Sequence, residues 1–253
     1  MIALITPTGA RKAQFELCKR WMNRQTYKGD VVWIVVDDAL PITIGNSGIP
    51  YRSDWTIVKI YPRPFWRGNN TQARNIKAGI DFLKEKYCKD EIEAIFIIED
   101  DDYYKPVYLE KMMERLGNYW LLGETNTIYY NVQWRRFVTN PNRHHASLFQ
   151  TAFTWETIPI IEASYTDKFI DARMWQLGKN KHLFFDNFLS IGIKGMPGRN
   201  GIGAGHKLAM AMSNDIGMNF LIKHIGNEPA KHYEGYYRDR GVAQHSRFVT
   251  KRL

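Results

Sequence analysis

Apolar and polar positions along the chain change period several times, and the changes mark its elements. Residues 2–6 are a short apolar run, and residues 11–24 place Phe15, Cys18, Trp21 and Met22 at helical spacing. Residues 31–36 are almost uninterrupted β-branched and aromatic, as a strand covered on both faces should be, and they end in Asp37 and Asp38. A turn-rich stretch, 41–53, leads to a strand-like segment at 55–61; after Pro62, Pro64 and Gly68, residues 71–87 carry the apolar face of a helix through Ala73, Ile76, Ile80, Phe82 and Leu83. Residues 92–98 read as another buried strand, ending in Glu99, Asp100, Asp101 and Asp102. A helix is expected at 106–120. This alternation predicts an open parallel sheet.

The second half is more aromatic and less periodic. Strands are expected at 126–138, 146–154, 182–193 and 220–225, helices at 165–177 and briefly at 207–212, and a glycine-rich loop at 195–205. No repeat or low-complexity linker appears, so residues 1–120 and 121–253 read as two halves of one continuous domain.

Length and composition narrow the class. A chain of 253 residues with 44% hydrophobic and 24% charged residues can bury a full α/β core and is neither disordered nor fibrous. Pro7 and Gly9 stop the opening apolar run after one strand's length, and no run reaches the ~20 residues of a membrane span. No signal peptide or membrane segment is expected, and the expected location is the cytoplasm or another intracellular compartment. Cys18 and Cys88 fit no metal-site spacing and no disulfide framework, and read as free thiols. The formal charge of +9 is uneven: residues 1–120 hold 18 Lys and Arg against 16 Asp and Glu, and residues 121–253 hold 17 against 10 together with all seven histidines. A phosphorylated ligand, a polyanion or peripheral contact with an anionic membrane each suits that field.

Open α/β sheets bind ligands beyond the carboxyl ends of their strands, and two such ends are acidic here. The four carboxylates from Glu99 to Asp102 suit oxygen ligation of magnesium or manganese, with diphosphate oxygens completing the shell. In an extended stretch Asp100 and Asp102 project to one side. Asp37 or Asp38 can cap a following turn or accept hydrogen bonds from a base or ribose. The first strand runs into Thr6-Pro7-Thr8-Gly9 without a dinucleotide fingerprint, and no P-loop motif occurs. Five glycines between Gly195 and Lys207 surround Arg199, His206 and Lys207, giving a basic loop able to close over a diphosphate.

Four segments taken in order carry a resemblance: Ile5-Thr6-Pro7-Thr8, Trp33-Ile-Val-Val-Asp-Asp38, Gly68-Asn-Asn-Thr-Gln-Ala-Arg-Asn75, and Ile97-Ile-Glu-Asp-Asp-Asp102 with Pro106 downstream. Together they resemble the nucleotide-sugar-binding half of a GT-A glycosyltransferase of the broad family 2 type. The resemblance implies an α/β, Rossmann-like nucleotide-diphospho-sugar transferase fold with a mostly parallel central sheet. It implies a nucleobase contact at Asp37 or Asp38 near Thr6, with Arg74 and Asn75 bordering the nucleotide. It implies an Asp-x-Asp motif at Asp100 and Asp102, beside Asp101, binding a divalent metal and the sugar-nucleotide; alignment on Pro106 and Leu109 moves that motif to Glu99 and Asp101. Asp171-Ala-Arg-Met-Trp175 resembles the segment that supplies the catalytic base, Asp171 first and Asp167 second, though the usual Glu-Asp pair is not present. His224, in a His-Ile-Gly context, resembles a late third metal ligand, with His206 competing.

The function so implied is metal-dependent transfer of a sugar from a nucleoside-diphosphate-sugar to a hydroxyl acceptor. A glycan, a lipid-linked sugar and a modified base in DNA are all compatible acceptors. A sugar-phosphate nucleotidyltransferase shares the sheet and metal, but it would carry a glycine-rich basic loop after the first strand, where only Gly9-Ala-Arg-Lys12 stands. A non-enzymatic nucleic-acid-binding protein would draw on the basic second half and on Tyr236 and Tyr237.

Overall fold

The computed structural model describes residues 1–39, 50–62, 71–141, 143–197 and 212–238. In chain order the elements are β1 (Ile2–Thr8), α1 (Lys12–Asn23), β2 (Val31–Asp37), β3 (Thr56–Ile60), α2 (Thr71–Lys86), β4 (Ala94–Ile97), β5 (Tyr103–Tyr104) and α3 (Tyr108–Leu116). They continue with β6 (Leu121–Glu124), β7 (Asn126–Asn131), β8 (Arg136–Pro141), β9 (Thr151–Phe153), α4 (Ile158–Glu162), α5 (Ile170–Leu177), β10 (Lys181–Phe184), β11 (Ser190–Lys194), β12 (Ser213–Asn214), α6 (Asn219–Ile225) and α7 (Asn227–Lys231). The chain divides into two compact units, one of Met1–Ile128 with Thr139–Gly192 and one of Tyr129–Val138 with Ile193–Leu253.

The first unit is built on strand alternation. Ala3 and Ile5 of β1, Val32, Ile34 and Val36 of β2, and Ile95 and Ile97 of β4 belong to the buried cluster that includes Ala73, Ile76, Ile80 and Leu83 of α2. Helix and sheet approach so closely that a Cβ on Gly79 of α2 would stand 2.6 Å from Ile5 Cγ2. Trp33, out of phase with that cluster, meets Phe15 of α1 with ring centroids 6.1 Å apart. Both faces of β1 and β2 are therefore covered, which is why these strands read as unbroken apolar runs.

The sheet of this unit has seven strands in the order β10-β6-β9-β4-β1-β2-β3. β1 pairs in parallel with β2 and β4, β2 with β3, and β6 with β10, whereas β9 runs antiparallel to both β4 and β6. A separate sheet has the order β12-β8-β7-β11-β5, with antiparallel pairs at β11 with β5 and β8 with β12. The GT-A expectation of a single, mostly parallel central sheet is thereby corrected: the fold is α/β with two distinct sheets, the larger of them mixed. Antiparallel pairing, which needs no long crossover, enters with β9, β11 and β12, while β6 and β10 keep a parallel pair across a long connection.

Turns also correct the expected elements. The single strand expected at 126–138 is interrupted because Asn131 Oδ1 accepts the amides of Gln133 and Trp134, at 3.1 and 3.2 Å, and Arg135 takes a positive φ of 45°. Residues 182–193 divide into β10 and β11, with Phe188 at φ 53° between them. Residues 220–225, expected as a strand, are helix α6. An apolar run this short fits either state, and here Asp215 decides by accepting the amides of Phe220 at 3.0 Å and Leu221 at 3.2 Å. In the same unit Tyr130 donates to Asp215 at 3.0 Å, and Phe137 stacks on Phe220 with centroids 3.5 Å apart. The expected turn of helix at 207–212 falls, except for Met212, outside the described residues. Among the described residues no helix is long and apolar enough to cross a membrane.

Candidate functional site

At the carboxyl ends of β2 and β4 the seven-stranded sheet carries Asp37, Asp38 and the acids from Glu99 to Asp102. β1 ends in Thr8, and Gly9 follows because a Cβ there would fall 1.7 Å from Asp38 Oδ1. Ala10 then takes a positive φ of 54°, and the tight reversal brings Arg11 back to the acidic turn after β4. Its guanidinium lies 3.2 Å from Asp100 and 2.6 Å from Asp101. Burial alone would weaken the hold of Arg11 on its proton, but the charges of Asp101 and Asp100 more than offset this.

Asp37 and Asp38 leave β2 in different directions. Asp37, fully buried, accepts the amide of Ala39 at 3.0 Å, while Asp38 pairs with Arg74 of α2 at 2.5 Å. Thr8 joins the two acidic groups: its carbonyl accepts the Asp38 amide at 3.1 Å and the Asn75 side chain at 3.2 Å, and its hydroxyl donates to Asp100 at 2.7 Å. Thr6 accepts the Trp33 indole N–H at 2.8 Å. The expected nucleotide residues Thr6, Asp37, Asp38, Arg74 and Asn75 thus share the region around the end of β1.

The acidic segment is a turn and not an extended strand, for the Asp102 amide donates to the Glu99 carbonyl at 3.3 Å. Alternation consequently does not govern where its side chains point. Asp100 faces Thr8 and Arg11, and its carboxyl is pushed above the usual range by burial, against the pull of Arg11. Glu99, Asp101 and Asp102 each present a ligand atom, all within 4.8 Å of one another. Three carboxylates form an all-oxygen donor set of the kind magnesium and manganese take, so these residues fit a divalent cation. Gln72 of α2 donates to Glu99 at 2.7 Å, and the Glu99 amide donates to the Tyr104 hydroxyl at 2.8 Å, tying both flanks of the turn.

Asp171 lies in the first turn of α5 and accepts the amide of Ala172 at 2.9 Å. Residues 178–180 join α5 to β10, and Trp175 of α5 donates to Thr151 of β9 at 3.3 Å, so the helix packs on the larger sheet. Burial raises the Asp171 carboxyl, partly opposed by the backbone amide of Ala172 and by His145. Asp167 is more open and lies 3.8 Å from Arg173. His224 belongs to the second unit, on α6, where its Nδ1 sits 2.8 Å from the Phe220 carbonyl. Arg199, His206 and Lys207 lie outside the described residues.

Thr8, Arg11 and Gln72, quoted above only within motifs, contact the acidic turn, and Glu124 is a further acid that no expected motif contains. Glu124 closes β6, fully buried, as Asp37 closes β2. Both its oxygens face the Leu189 amide, at 2.9 and 3.1 Å, and Gln150 donates to it at 3.2 Å. Burial pushes its carboxyl up to about 7. The available signal is Leu121-Leu122-Gly123-Glu124, an acid one glycine after an apolar pair.

No family model matches the chain, so the expected family 2 membership is not carried further; no curated protein matches it either. Among solved structures, S. aureus TarS 1–349 superposes with a TM-score of 0.52 at 10% identity, over 76% of this chain and 60% of that one. TarS 1–349 in complex with UDP-GlcNAc gives 0.52 at 13% identity, over 81% of this chain and 61% of that one. The chain therefore spans about three fifths of the TarS fragment, and it shares that fold.

Proposed function

We propose that the chain is a glycosyltransferase that moves a sugar from a nucleoside-diphosphate-sugar, of the UDP-GlcNAc class, to a hydroxyl acceptor. The observation that carries this reading is the acidic turn Glu99–Asp102 at the carboxyl end of β4, in a fold shared with a protein crystallised with UDP-GlcNAc. Asp37, Asp38, Arg74 and Asn75 form the side of the site suited to base and ribose. Glu99, Asp101 and Asp102 would hold a divalent cation, which when bound offsets charge on the donor diphosphate. Asp100, bonded to Thr8, and Arg11, which pairs with both Asp100 and Asp101, fix the turn against β1.

Asp171 serves as general base. The acceptor oxygen attacks the anomeric carbon, its proton passes to the Asp171 carboxylate, and the bond from that carbon to the diphosphate oxygen breaks, releasing the nucleoside diphosphate. A raised Asp171 carboxyl is a better proton acceptor near neutrality than an ordinary one. With one base and no intermediate, the configuration at the anomeric carbon inverts.

The test is slow donor hydrolysis, in which water stands in for the acceptor. Incubation with UDP-GlcNAc and manganese is expected to release UDP and free GlcNAc. No release from UDP-GlcNAc, with release from another nucleotide-sugar, would change the donor class; none from any nucleotide-sugar would count against the activity.

A further inference from the structure

Glu124 is a buried acid that the proposed transfer does not use, and its hydrogen bonds lead away from it in a definite direction. Its carboxylate takes the Leu189 amide on both oxygens. The Leu189 carbonyl in turn accepts the Lys105 amide at 2.9 Å. The next residues of that segment, Ser190 and Ile191, pair antiparallel with Tyr104 and Tyr103, which directly follow the acidic turn. Tyr104 closes the path, because its hydroxyl accepts the Glu99 amide. On the other side Gln150 holds Glu124, and the Gln150 carbonyl oxygen accepts the Thr127 hydroxyl.

We propose that Glu124 is a positioning residue for the acidic turn: by fixing Leu189 it sets the β11–β5 pairing, and through Tyr104 the placement of Glu99, Asp101 and Asp102. The inference rests on the reading of that turn as the donor site. The ionised carboxylate accepts a stronger, charge-assisted bond from Leu189 than the neutral acid does, so the turn is held more firmly as pH rises through neutrality. The charged and titratable groups facing Glu124 are Lys105, which favours its ionised form, and Asp186, which opposes it. Asp186 is itself paired with Arg115 of α3, and Tyr108 of α3 feels the Glu124 charge while donating to the Phe149 carbonyl at 3.0 Å.

The experiment measures UDP-GlcNAc affinity with manganese for the wild type, Glu124→Gln and Glu124→Leu from pH 6 to 8, alongside amide hydrogen exchange. UDP-GlcNAc has no phosphate group titrating in this range, and comparison with Glu124→Gln cancels titrations shared by both proteins. Glu124→Leu is expected to lose about 10-fold or more in affinity, the scale typical of partners that orient metal ligands, and to exchange faster at the amides of residues 103–105 and 189–191. The ratio of wild-type to Glu124→Gln affinity is expected to rise with pH. If Glu124→Leu does not fold, that ratio decides alone. A flat ratio, or wild-type affinity and exchange in a folded Glu124→Leu, overturns the inference. If the wild type itself binds no UDP-GlcNAc, the donor-site reading fails instead, and exchange at residues 103–105 still decides whether Glu124 holds the turn.

Discussion

At the scale of single residues, the site is made by close approaches that leave little freedom. Gly9 stands where a Cβ would meet Asp38, and Thr8 bonds at once to Asp38, Asn75 and Asp100. Asp171 offers the most direct kinetic test. Replacing it with Asn should leave UDP-GlcNAc affinity nearly intact and slow transfer by about 10²-fold or more, the loss typical for a general base. Because burial raises this carboxyl, and a base works only when ionised, wild-type kcat/KM should fall on the acid side at a pH above the ordinary carboxylate range. The residual rate of Asp171→Asn should lack that acid limb. Equal losses in affinity and turnover would give Asp171 a binding role.

At the scale of elements, the clearest sequence signals were those where one physical requirement dominates. The strands β1, β2 and β4 are buried on both faces, and α2 needs an apolar stripe, so their residues carry the pattern openly. The acidic ends of β2 and β4 were legible for the same reason: a run of apolar residues stops abruptly in charge. Glu124 escaped notice because β6 is only four residues long and no long run announces its end. The expectation merges β7 with β8, and β10 with β11, because a four-residue turn closed by an Asn side chain or one residue at positive φ breaks no hydrophobic pattern. α6 was misread because Asp215, which caps it, lies outside the apolar run. The tightness of α2 against β1 gives a stability test. Gly79→Val should overpack the contact with Ile5 and cost about 1–3 kcal/mol, seen as a lower midpoint in urea with an unchanged slope. An unchanged midpoint would mean that helix and sheet do not meet so closely.

At the scale of the whole molecule, the buried acids link stability to pH. Glu124 rises from an ordinary 4.5 to about 7 in the folded state. The folded chain therefore keeps a proton there that the unfolded chain gives up, and stability from this group is full below about 4.5 and declines as pH rises to about 7. Glu124→Gln carries no such proton, so the melting temperature of the variant should gain on that of the wild type between those limits and hold its lead above them. A constant difference across the range would show that Glu124 titrates normally. The central claim of the proposed function is that Glu99, Asp101 and Asp102 act together in binding the donor. Calorimetric titration of UDP-GlcNAc into the wild type and Asp102→Asn, each with and without manganese, tests it most directly. The account predicts manganese-dependent binding by the wild type, weakened about 10-fold or more in Asp102→Asn with its melting temperature preserved. Binding that is equally tight without manganese, or unchanged by the substitution, would contradict it.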